Sequence, residues 1–62
     1  MNSNALATLE ELEIYATAQV LFWDEVRQRA EYGGDNYMRA AFVRNAYRDM
    51  AEKLAELGEI AR

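Results

Sequence analysis

The carboxylates are the first place to look for chemistry in this sequence of 62 residues. Glu10-x-x-Glu13, Asp49-x-x-Glu52, Glu52-x-x-x-Glu56 and Glu56-x-x-Glu59 each set two acids one helical turn apart. Di-iron sites in four-helix bundles use comparable spacings, but as Glu-x-x-His pairs projecting inward. This chain has no histidine and no cysteine. The commonest metal ligand, the usual general base and the thiol nucleophile are therefore missing. Ser3 is the only serine and has no base beside it. Most of these acids point away from the apolar stripes described below and read as solvated helix faces. Glu10, Glu11 and Glu13 also lie near a helix start, where the macrodipole favours negative charge. No catalytic residue, metal or cofactor is expected, and the chain is not expected to be an enzyme.

The arginines are the second place to look. Arg44 and Arg48 sit one turn apart on one helix face, with Tyr37 close to the same line. An arginine beside an aromatic ring can hold a phosphate and stack on a base. Against this, Arg48 and Glu52 form an ordinary i,i+4 pair. The net charge is −4, from seven basic and eleven acidic residues, which disfavours general binding to phosphate backbones. Binding of a nucleotide or nucleic acid at this basic end is kept as an alternative reading.

The elements that position these side chains are few. Proline is absent, and the only clear punctuation is Gly33-Gly34-Asp35-Asn36. Glycine there permits a helix end with positive φ, and Asp35 or Asn36 supplies a side-chain cap for the next helix. At the other end, either Ser3 or Asn4 caps an early start, or Thr8-Leu9-Glu10-Glu11 acts as a capping box. The expected architecture is all-α, one domain over 1–62. It consists of a helix from about 4–8 to 32, a turn at 33–35 and a helix over about 36–60. The short turn makes the two rods antiparallel neighbours. Gly58 is expected to fray the last turn.

On the second helix, Ala40, Val43, Tyr47, Met50, Leu54, Leu57 and Ala61 alternate spacings of three and four, as a heptad seam does. The first helix offers Leu12, Tyr15, Ala16, Gln19, Phe22, Trp23, Val26 and Ala30 on one broad face, and the two faces are expected to meet. Gln19, the polar residue in mid-face, could hydrogen-bond a symmetry mate or Tyr47. The run Val20-Leu21-Phe22-Trp23 cannot all face one neighbour, because successive helix residues step by about 100°. Phe22 and Trp23 are expected inside the hairpin. Val20 and Leu21 are expected outside it, with Ile14 one heptad away from Leu21. Met38 and Phe42 also lie off the seam.

A chain this short has little core of its own, and without disulfides the remaining device is association. Two hairpins are expected to form a homodimeric four-helix bundle. Its self-interface is expected to draw on Ile14, Val20, Leu21, Val43, Met50 and Leu54. Charge is segregated along the hairpin: −5 over 1–26, +3 over 27–48 and −2 over 49–62. Packing with the turns at opposite ends keeps like charges apart. In size and topology alone, such a hairpin resembles the small helical-hairpin dimers of plasmid and phage accessory proteins. The preferred functional expectation is a non-catalytic module that binds a larger protein and modulates or inhibits it; the alternatives are the nucleotide or nucleic-acid binding oligomer described above and a purely structural assembly unit with no outside partner. Trp23, Tyr37, Arg39, Phe42, Arg44 and Arg48 are the expected partner-binding residues. No apolar run approaches the roughly 18 residues that span a membrane, and no signal-peptide pattern opens the chain, so a cytoplasmic location is expected.

Overall fold

The computed structural model describes residues 3–61. They form two helices, α1 (Ser3–Arg29) and α2 (Asp35–Ala61), packed side by side as an antiparallel hairpin measuring 46 × 14 × 11 Å. Neither helix is long and apolar enough to cross a membrane. α1 begins early: Thr8 lies inside it, and its hydroxyl donates to the Asn4 carbonyl at 2.9 Å. A mid-helix threonine that bonds back one turn has no role as a cap. The early start therefore prevails over the capping box.

The turn is longer than its glycines suggest and begins sooner. α1 ends at Arg29, three residues before the expected boundary. The Ala30 amide is shared between the carbonyls of Val26 (3.1 Å) and Arg27 (3.2 Å), a common way for a helix to end. Gly33 then takes φ 79° in the middle of the turn, where a Cβ would be strained. The Gly34 amide donates to the Glu31 carbonyl at 3.0 Å, and the Gly34 carbonyl accepts from Met38 at 3.0 Å. Gly34 thus stands at the N-cap in place of Asp35 or Asn36. Asp35 enters the first turn as a charge favourable to the helix dipole. Tyr32 leans on Tyr37 across the turn, ring centroids 5.0 Å apart. At the far end Gly58 is buried, and α2 continues past it to Ala61 without the expected fraying.

The seam between the helices sets small residues against large ones. Leu6, Leu9, Glu13, Ala16, Val20, Trp23 and Arg27 along α1, and Ala30 just past its end, lose exposure. Tyr37, Ala40, Arg44, Tyr47, Ala51, Leu54, Gly58 and Ala61 do so along α2. Both sets alternate steps of three and four. Arg27 beside Tyr37 and Tyr15 beside Tyr47 fix the antiparallel register. That register sets Gly58 level with Leu6, Ala51 level with Glu13 and Ala40 level with Trp23, so small positions oppose large ones.

The expected seam on α2 is therefore displaced at three positions. Arg44, Ala51 and Gly58 stand where Val43, Met50 and Leu57 were expected. On α1, Val20 and Trp23 are the half-buried members of the apolar run, and Phe22 and Leu21 point outward at 54% and 67% exposure. Residues three apart share a face of a helix and adjacent residues do not. Pairing Val20 with Trp23 is accordingly what a narrow contact permits. Among the described residues the only buried apolar side chains are Ala16 and Ala40, at 0% and 1% exposure.

Candidate interaction surfaces

Cross-helix contacts distinguish the two broad sides of the hairpin. On one side Tyr15 meets Tyr47 edge-on, with ring centroids 6.3 Å apart. The neighbouring Tyr15 hydroxyl pushes the Tyr47 phenol above its ordinary range. Leu12, Tyr15, Phe22, Met50 and Leu57 lie along this side, each about half exposed. Val26, Val43 and Leu54 fill between them, half-buried. These are largely the residues expected to form the hairpin core. They have rotated out together to make one apolar side.

Near the turn that side deepens into a groove of about 420 Å³, lined by Trp23, Val26, Arg29, Ala30, Asn36, Arg39 and Ala40. Its floor is apolar, and two guanidinium groups stand at its rim. The edge of Phe22 packs on Trp23 at 5.3 Å, with the rings 87° apart. The Trp23 indole N–H is buried without an acceptor. An unmade bond of this kind costs roughly 1–3 kcal/mol.

The other broad side is polar and centres on Asp24. Arg27 donates to Asp24 Oδ1 through Nη2 at 2.7 Å and Nε at 3.3 Å, and Gln28 donates to Oδ2 at 3.0 Å. Arg27 also donates to the Tyr37 hydroxyl at 3.2 Å and lies 5.6 Å from that ring's centroid, close enough for a cation–π contact. Arg44 reaches across from α2, its Nε 3.8 Å from Asp24 Oδ1. That distance gives an ion pair and no hydrogen bond, and the Arg44 Nε stays buried without an acceptor. The Arg27 hydrogen bonds, helped by both positive charges, hold the Asp24 carboxyl below its ordinary range. Asp24 in turn raises Arg27.

The pH consequence follows from the sign of that shift. A carboxyl lowered in the folded state stabilises the fold above the unfolded value, and this contribution is lost as pH falls through the folded value. Asp24→Asn is expected to be less stable than the parent at neutral pH. The difference should close as pH drops below 3.8, the ordinary value for this group. Urea unfolding of both proteins across that window checks it; a gap that persists at the acid end would assign the effect to packing.

The residues expected to bind ligands are dispersed. Arg44 and Tyr37 belong to the Asp24 network on the polar side, and Arg48 is exposed. Trp23 and Arg39 meet at the groove. Phe42 stands on the outer flank of α2 at 76% exposure, with Met38 at 60% one turn away. Ile14 and Leu21 stand on the outer flank of α1 at 69% and 67%, beside a shallow groove of about 310 Å³ that also includes Glu13, Thr17 and Ala18. Of the residues expected in the self-interface, Val20 and Leu54 are half-buried at seam positions, and Val43 and Met50 lie on the apolar side. Leu12, Tyr15, Phe22, Leu57 and Arg29 are the surface residues that the sequence reading did not select. The signal that could have found them is the small residues Ala40, Ala51 and Gly58, spaced by eleven and seven and so on one helix face. Among the described residues no three acidic side chains gather as a cation site. Comparison of the chain with protein families, with curated proteins and with solved structures finds no match to any of them.

Proposed function

We propose that this chain is a non-catalytic protein-interaction module: two hairpins associate into a homodimeric four-helix bundle, and the bundle binds a larger protein and modulates or inhibits it. The observation that carries this reading is the imbalance between core and surface. Among the described residues two alanines are the buried apolar side chains, and eleven large apolar side chains are substantially exposed. The hairpin exposes 4799 Å², where a compact monomer of its 7.1 kDa mass exposes roughly 4100 Å². The excess is close to the roughly 800 Å² that each partner buries in a standard interface. Phe42 and Met38 on the outer flank of α2, at 76% and 60% exposure, are the side chains best suited to anchor the second protein, since aromatic residues and methionine are enriched at interface centres.

Two measurements test the reading. Sedimentation equilibrium is expected to give twice the chain mass. Immobilised protein is expected to retain a partner from its source cell that the Phe42→Asp variant fails to retain, with the variant still a dimer. A monomer at all concentrations removes the bundle. Equal retention by the two proteins moves the partner site away from Phe42.

A further inference from the structure

The open question is which side of the hairpin meets the second copy, and in which orientation. We infer that the apolar side is the self-interface, and that the second copy packs on it with its turn at the opposite end, about a two-fold axis passing beside Gln19. This rests on the proposed homodimer and specifies it.

The stripe of α1 on this side is symmetric in its spacing about Gln19. The side chains of α1 on or beside the apolar side are Leu12, Tyr15, Ala16, Gln19, Phe22, Trp23 and Val26. Counted outward from Gln19, they stand three, four and seven residues away in both directions. Antiparallel helices related by a two-fold axis need this property, because the same patch must complement itself reversed. An axis beside Gln19 sets Gln19 against its own copy, Leu12 against Val26 and Tyr15 against Trp23. Gln19 is half-buried and its side-chain amide makes no hydrogen bond among the described residues. A glutamine amide both donates and accepts, so it can pair with itself across such an axis.

The hairpin register places Met50 level with Leu12, and both are half exposed. The same axis carries this pair onto the groove of the second copy, at Val26 and Asn36. The groove beside Trp23 thus receives a paired projection of the same surface.

An axis beside Gln19 lays the basic turn end of one copy beside the acidic open end of the other. It brings Arg29, at the groove rim, within one helical turn of Glu11 of the second copy. The alternative, with both turns at one end, gathers the arginines of two copies and is opposed by like-charge repulsion.

The chain has no cysteine, so single cysteines report the geometry directly. Gln19→Cys is expected to oxidise to a covalently linked dimer. Leu12→Cys and Val26→Cys are each expected to stay unlinked alone but to link to one another when mixed and refolded. Leu21→Cys, on the outer flank, is expected to stay unlinked. Sedimentation equilibrium on the unmodified chain accompanies the series. A dimer in which Leu21→Cys links and Gln19→Cys does not overturns this assignment and leaves the homodimer standing. A dimer in which Leu12→Cys links to Met50→Cys, and not to Val26→Cys, overturns the orientation. A monomer overturns both the assignment and the homodimer.

Discussion

Leu12→Asp is expected to dissociate the assembly and to leave a chain that is largely unfolded, whereas Leu21→Asp leaves both mass and helicity close to those of the parent. Leu12 is 47% exposed in the hairpin. Completing its burial against a second copy contributes about 1 kcal/mol, and the two-fold axis makes the contact twice. A carboxylate placed there would lose water without gaining a partner, at several kcal/mol per copy. The sum corresponds to a dissociation constant raised by at least about a thousandfold. In the proposed homodimer folding is expected to follow association, because a hairpin with Ala16 and Ala40 as its buried apolar residues among those described has little else to hold it. Its apparent stability should therefore rise with protein concentration in the parent and not in Leu12→Asp. Leu21 projects from the outer flank of α1 at 67% exposure, and a change there should move stability by no more than about 0.5 kcal/mol. Sedimentation equilibrium and circular dichroism over a wide concentration range distinguish the two variants. The reverse result would place the self-interface on the Ile14–Leu21 flank.

The contrast between Leu12 and Leu21 shows what the sequence made legible and what it did not. The two helices, their antiparallel pairing and the place of the turn follow from the single Gly33-Gly34 break between long helical patterns. The seam does not follow, because hydrophobic periodicity weights large side chains, and here the contact runs through small ones. Reading α2 by its large residues gives Val43, Met50 and Leu57; the contact uses Arg44, Ala51 and Gly58, one position on in each case. One position is about 100° of rotation, enough to turn an expected core into a surface. Ala40, Tyr47, Leu54 and Ala61 belong to both readings because they border both stripes. The Asp24 network was hidden for a different reason. Its members, Asp24, Arg27, Tyr37 and Arg44, lie on two helices, and only the register brings Arg44 to Asp24. Taken helix by helix, Arg44 and Tyr37 look like a free anion site; in the hairpin Arg44 faces Asp24 and Tyr37 packs on Arg27.

The seam of small residues gives the second large effect. Ala16 is 0% exposed, and the register sets it close to Tyr47. Ala16→Leu inserts three carbons where two helices approach on small side chains, and overpacking of that kind costs about 1–3 kcal/mol. A chain below roughly 70–80 residues seldom has more than about 3–5 kcal/mol from its core, so the substitution removes a large share of the stability. Ala18→Leu adds the same three carbons at an exposed position of the same helix and should change stability by less than about 0.5 kcal/mol. Ala16→Gly is expected to destabilise as well, by about 1 kcal/mol, since glycine is the poorer helix former. Loss in both directions, to the larger and to the smaller residue, is the mark of a position where alanine fits. Urea unfolding of the three variants at one protein concentration measures this. If Ala16→Leu were as stable as the parent or more so, the helices would stand further apart than a seam of alanines requires. The larger residues of the apolar side would then have to turn back toward the seam, and Leu12 would lose its place in the contact between copies.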